Sequence, residues 1–193
     1  WRAGLAIQMD PVTGMRPYNP AFQNSEYCKF YNRLINDERI KKALKENGYK
    51  GKFCVHTNNI ANASDFCGNE VIEVSADIVD YQKEFRENAL LITDYSSVAY
   101  DFAYLKKPVI YAQPDKEEFF AEQIYDRGYW DYEQMGFGPV CCDYESTVNV
   151  IIEAVRSGCM LEKEYLNRIE SFYFALDQNN CERVYQAIRE IGK

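Results

Sequence analysis

A single histidine, His56, serves a chain of 193 residues. The seven cysteines, at positions 28, 54, 67, 141, 142, 159 and 181, are odd in number and form no CxxC pair. Structural zinc sites need four ligands at short paired spacings, so a zinc module is excluded and no metal or other cofactor is expected. Thiols without a pairing pattern read as reduced, mostly buried cysteines of a cytosolic protein. No apolar run approaches the roughly 20 residues of a membrane span; Ala89 to Ile92 is among the longest. There is no basic-then-apolar leader at the start, no repeat and no low-complexity stretch. Positive charge is also short, with Lys+Arg 22 against Asp+Glu 30 and a formal net charge of -8. Such a chain is a poor nonspecific binder of nucleic acid, whose phosphates are held mainly by Lys and Arg. A local phosphate site survives that argument, because backbone N–H groups at a helix start bind phosphate whatever the overall charge.

Hydrophobic residues make up 47% and charged residues 27%, enough to build one folded domain with a real core. The reading is a single domain over residues 1–193. Residues 1–23 form an irregular lead-in, because Pro11, Gly14, Pro17 and Pro20 crowd out helix and inner strand. The opening Trp1-Arg2 reads as an excerpt from a longer polypeptide. From Ser25 to Asn47 apolar residues recur at helical spacing, slip at Asn36-Asp37 and resume at Ile40. That predicts two helices, or one broken helix, with Asn36 or Asp37 as the second N-cap and Gly48 as the stop.

Short apolar runs then alternate with helical patterns. Strands are predicted over 52–56, 70–74, 89–93, 108–112 and, more weakly, 139–142. Helices are predicted over 80–88, 97–106, 116–125, 146–157, 162–172 and 181–191. Runs such as Ala89-Leu90-Leu91-Ile92 are apolar on both faces, as in a parallel sheet covered by helices. The alternation predicts a doubly wound, Rossmann-like α/β domain with the helices of residues 160–193 packed on it.

Ligands of such sheets bind beyond the carboxyl ends of the strands. Three strand exits carry polar residues. At Thr93-Asp94-Tyr95-Ser96-Ser97 a buried strand runs into a helix start rich in hydroxyls, a phosphate cradle without a glycine loop. Ser97 and Asp101, four residues apart, share a helix face, which places Asp101 about 5 Å along from a bound phosphate, within reach of a ribose. The alternative is that Ser96 or Ser97 only caps the helix and Asp101 is solvated. Asp94 would repel a phosphate and reads as scaffolding for the turn Tyr95–Ser97. At Phe53-Cys54-Val55-His56-Thr57-Asn58 the sole imidazole stands at a strand exit, where it can donate to a phosphate or move a proton; a structural role is equally open. The third segment, 126–139, is rich in glycine and aromatics, like a mobile loop. Its Arg127 can meet a phosphate or simply pair with Asp126 or Asp131. The candidate nucleotide- or substrate-binding residues are therefore Val55, His56, Ser96, Ser97, Asp101 and Arg127, with His56 also the candidate catalytic group.

Thr93-Asp94-Tyr95-Ser96-Ser97 with Asp101, followed by Leu105-Lys106-Lys107-Pro108-Val109-Ile110-Tyr111, resembles the CDP-glycerol glycerophosphotransferase family, bacterial enzymes that polymerise teichoic acids of the cell wall. The stretch from Arg127-Gly128-Tyr129 through Gly138-Pro139, Phe172-Tyr173-Phe174 with Asp177 and Arg183-Val184, and the opening Trp1-Arg2 are similar to it as well. The resemblance implies the C-terminal, nucleotide-binding half of a two-domain GT-B fold, with an N-terminal acceptor domain outside this chain that carries a general-base histidine. It implies that Ser96 and Ser97 hold the pyrophosphate, Asp101 the ribose, and His56 the transferring phosphate. The implied donor is CDP-glycerol or a similar CDP-alcohol. The acceptor would be a lipid-linked polymer, and the parent protein would sit in the cytoplasm, peripheral to the inner face of the membrane. Two positions depart from the family pattern, with Cys54 where a basic residue is frequent and Thr57 where proline is usual. The same strand, cradle and helix also resemble UDP-sugar 2-epimerases, so an epimerase or glycosyltransferase of GT-B type is the alternative. A nucleotide-binding module without activity of its own is another.

Overall fold

The computed structural model describes residues 5, 8–14, 16–77, 80–122 and 128–191. Polar caps and apolar stripes set its helices. The Ser25 side chain accepts from the Cys28 N–H and starts α1 (Glu26–Ile35). Asp37 accepts from the N–H groups of Arg39 and Ile40 and starts α2 (Glu38–Glu46), which decides between the two expected caps. Gly48 follows α2 at φ +72°, the left-handed conformation expected just past a helix end. Strand β1 (Gly51–Cys54) leads into a 3-10 helix (Thr57–Asp65) that the apolar pattern does not announce, and then into β2 (Ile72–Ser75). Helix α3 (Tyr81–Glu87), β3 (Leu91–Thr93), α4 (Val98–Tyr104), β4 (Val109–Ala112) and α5 (Lys116–Glu122) follow in strict alternation. Next come a single turn α6 (Tyr132–Met135), β5 (Val140–Cys141) and three longer helices, α7 (Tyr144–Arg156), α8 (Lys163–Phe172) and α9 (Asn180–Ile191).

Every strand pairing is parallel, as the two-sided apolar runs predict. The expected single doubly wound sheet is instead two sheets, β1–β2 and β3–β4–β5. Among the described residues β1 and β3 do not pair; both line a cavity of about 350 Å³, together with Tyr81, Glu84 and Phe85 of α3. Lys107 gathers the carbonyls of Phe85, Arg86 and Asn88 on one ammonium, at 2.7–3.0 Å, and so closes the end of α3. Glu84 of α3 meanwhile pairs with Lys52 of β1 at 2.6 Å.

There are two cores. Helices α1, α2 and α7 bury Tyr31, Leu34, Ile40, Ala43, Val148 and Ile151 with Val55, Phe66 and Ile72, and this first core also takes in Ile110 of β4 and Cys141 of β5. Around the second sheet, Ala99, Phe102 and Ala103 of α4 pack with Val109, Tyr111, Phe137 and Ile169. Of the C-terminal helices expected to pack on the domain, α8 does so through Ile169, whereas α9 buries none of its residues. The cysteines are free, but fewer are buried than expected: Cys28 and Cys141 are buried, Cys159 is intermediate, and Cys54, Cys67, Cys142 and Cys181 are exposed.

Candidate functional site

At the β1 exit the chain folds back on His56 at once. The imidazole caps the 3-10 helix, its Nδ1 accepting the Asn58 N–H at 3.1 Å. A backbone amide can only donate, so Nδ1 carries the lone pair and the neutral ring holds its proton on Nε2. Desolvation lowers the His56 pKa, opposed by the nearby Asp94 carboxylate. The result is a neutral imidazole presenting one N–H. Just behind it, Asn59 donates its N–H to the His56 carbonyl at 2.7 Å. Buried Asn62 fixes the 3-10 helix to the lead-in, accepting from the Asn19 N–H and donating to the Asn19 carbonyl and to Asp65. Val55 is a core side chain, 3% exposed, that also lines the cavity between the two sheets.

The β3 exit is built differently. Asp94 turns its carboxylate back onto the Tyr95 N–H at 2.7 Å, the scaffolding its position suggests. Ser97 occupies the cap position of α4, yet its side chain makes no capping bond. Ser96 Oγ receives only a long contact from the Val98 N–H, at 3.5 Å. Neither hydroxyl is consumed by the helix in the way that a simple capping role requires. Ser97 and Asp101 lie on one exposed face of α4, while Phe102 and Ala103 turn into the core, as the spacing predicts.

His56, Asp94 and Ser96 line the same cavity between the two sheets; Ser97 and Asp101 stand outside it on α4. Arg127 lies outside the described residues. The segment after it is not the mobile loop expected from its glycines. Asp131 caps α6, Phe137 is fully buried, and Arg168 of α8 donates to the carbonyls of Glu133 and Gly136. Gly138 is needed for contact, since a Cβ there would overlap the Val109 carbonyl of β4. Sequence reasoning also missed Gln113. It is fully buried directly after β4, and its Nε2 donates to the Asp94 carbonyl at 3.0 Å. A polar residue before a proline at the end of an apolar strand was the available signal.

The chain is thus an α/β domain with parallel sheets, whose polar residues gather at the carboxyl ends of its strands. It belongs to the CDP-glycerol:poly(glycerophosphate) glycerophosphotransferase family, which it matches over residues 4–190. It is 40% identical over 191 residues to the minor teichoic acid biosynthesis protein GgaB of Bacillus subtilis strain 168, covering 99% of this chain and 21% of that protein. It is 36% identical over 95 residues to a teichoic acid poly(glycerol phosphate) polymerase of Bacillus spizizenii, covering 49% of this chain and 22% of the relative. The chain therefore spans about a fifth of the length of these curated relatives. Among solved structures it is similar to the wall teichoic acid polymerase TagF, variant H548A, with a TM-score of 0.43 and 16% identity, covering 85% of this chain and 52% of that one.

Proposed function

We propose that this chain is the donor-binding part of a CDP-alcohol-dependent glycerophosphotransferase of teichoic acid or related polyol-phosphate synthesis. Family membership supports the reaction class. The observation that carries the site is that His56 and Ser96, from different strand exits, line one cavity with Asp94 between the two sheets. In this reading the serines and the N–H groups at the start of α4 hold the pyrophosphate, and Asp101 accepts from the ribose hydroxyls. His56 gives its Nε2–H to an oxygen of the phosphate that is transferred.

An acceptor hydroxyl attacks the phosphorus that bears the glycerol. The bond between that phosphorus and the bridging oxygen breaks, and CMP leaves with the bridging oxygen. CMP is a stable leaving group, so stabilising charge on the phosphoryl oxygens matters more than protonating the departing one. A neutral imidazole with its proton on Nε2 suits donation; it has no free lone pair there to accept the hydroxyl proton. That proton goes to a base outside this chain. The acceptor is a polymer, lipid-linked in this proposal, and the whole enzyme works in the cytoplasm against the inner face of the membrane. Contact with the membrane falls to regions outside the chain; among the described residues no helix is long and apolar enough to cross one.

The test supplies the full-length enzyme with CDP-glycerol and a primed acceptor. CMP release matched by polymer growth is expected. The isolated 193 residues should bind CDP without turnover. Turnover of a UDP-sugar in place of CDP-glycerol would overturn the proposal in favour of the epimerase or glycosyltransferase class.

A further inference from the structure

Loop 94–97 carries the serines, yet little within the loop fixes it. Its anchors come from the end of β4 and from the chain between β4 and β5. Gln113 is fully buried at the end of β4. Its backbone N–H donates to the Cys141 carbonyl at 2.8 Å, which carries the β4–β5 ladder one residue beyond the strand. Its side chain reaches the other way, and Nε2 donates to the Asp94 carbonyl at 3.0 Å. The amide thereby replaces the backbone ladder where β3 ends and its loop turns away. Two further contacts act on the next residue. Tyr95 stacks flat on Phe119 of α5, with ring centroids 3.6 Å apart, and its hydroxyl donates to Asp115 at 3.1 Å. The Tyr132 hydroxyl of α6 approaches the Tyr95 carbonyl at 3.4 Å.

A second observation concerns the same amide. Gln113 Oε1 is buried and has no hydrogen-bond partner among the described residues. Leaving an acceptor dry and unpaired is unfavourable, and an apolar side chain of similar volume avoids that cost. The packing therefore does not account for a glutamine here, whereas the bond to the Asp94 carbonyl does.

We propose that Gln113 is a positioning residue for the phosphate-binding loop: its side-chain amide holds Asp94 and so aims Ser96 and Ser97. This rests on the donor-phosphate reading above. Gln113 does not touch the reacting atoms. Its loss lets the loop drift, and small displacements of aligned groups are expensive in rate.

The test uses the full-length enzyme with Gln113→Met, which keeps the volume and removes the donor. Turnover of CDP-glycerol per folded molecule and hydrogen exchange at the amides of residues 94–98 are measured together. The expected result is a kcat lower by about tenfold or more, a smaller change in KM, and faster exchange confined to that loop. Unchanged exchange and turnover within twofold of wild type would overturn the proposal. Faster loop exchange in an enzyme whose wild type does not use CDP-glycerol would instead keep the clamp and reject the donor reading. If Gln113→Met does not fold, Gln113→Glu decides through its pH profile. A buried carboxyl can donate to Asp94 only when protonated, so its activity should fall relative to wild type as pH rises. Parallel profiles would contradict the clamp.

Discussion

The two strand exits that frame the candidate site are held by opposite means. At the β1 exit the chain secures itself. The His56 ring is fixed by the amide two residues ahead, and the His56 carbonyl by the amide three ahead. At the β3 exit the fixing groups come from far along the chain, with Gln113 nineteen residues away from Asp94 and Tyr132 thirty-seven from Tyr95. A locally closed turn sets the tautomer of its own histidine. A loop held from a distance reports on the packing of its neighbours, so substitutions well outside it should alter it.

That difference also explains what was legible beforehand. Strand and helix order, a cap at Asn36 or Asp37, the Gly48 stop and the placing of Phe102 and Ala103 follow from spacing and local chemistry, which a sequence displays. The role of Gln113 depends on which strands become neighbours, and no local pattern encodes it. The closing of α3 was hidden for a related reason: one ammonium, Lys107, collects three carbonyls across about twenty residues. The 128–138 segment misled because its glycines signal flexibility in sequence. At Gly138 the missing side chain instead serves close packing against β4.

The largest effect is expected at the β1 exit. His56→Ala in the full-length enzyme should lower kcat by about 10²–10³ and change KM for the CDP-alcohol little. His56→Gln, which keeps an N–H donor, should recover part of that loss. No recovery in steady-state kinetics would mean that the ring must carry a proton, and the locally set tautomer would lose its significance. The lowered His56 pKa adds a pH sign. The folded chain favours the neutral ring, so this contribution to stability is present above the ordinary value of 6.5 and is lost as pH falls from there through the lowered value of the folded chain.

A change outside both exits tests the long-range arrangement. Gly138→Ala should force β5 away from Val109 and cost about 3 kcal/mol in urea unfolding, with faster exchange at residues 94–98. Retained stability would show that the β4–β5 contact yields easily and that the β3 exit does not depend on it. Asn62→Ala should cost about 2 kcal/mol, because it strips the 3-10 helix of its tie to Asn19 and leaves half-buried partners unpaired. Its effect on exchange should stay near residues 57–65.

The smallest change concerns the scaffold under β1. Desolvation of Asp37 is outweighed by hydrogen bonds from Arg39 and Tyr144 and from the backbone, which bring its pKa down to about 2. Asp37→Ala should cost about 1 kcal/mol through the lost cap. In wild type the Asp37 contribution is present above the ordinary value of 3.8 and is lost as pH falls toward 2. Acid unfolding of the variant should therefore show a weaker dependence on pH across that window.

The claim that joins the two exits is that α4 and its loop hold a nucleotide diphosphate, with the serines on phosphate and Asp101 on ribose. Calorimetric titration of CDP and of pyrophosphate into wild type, Ser97→Ala and Asp101→Ala addresses it directly. Ser97→Ala should weaken both ligands by about 1.5–3 kcal/mol, the usual worth of a hydrogen bond to a charged group. Asp101→Ala should weaken CDP and leave pyrophosphate unchanged. Equal loss of both ligands in Asp101→Ala, or wild-type affinity for CDP in both variants, would contradict the account.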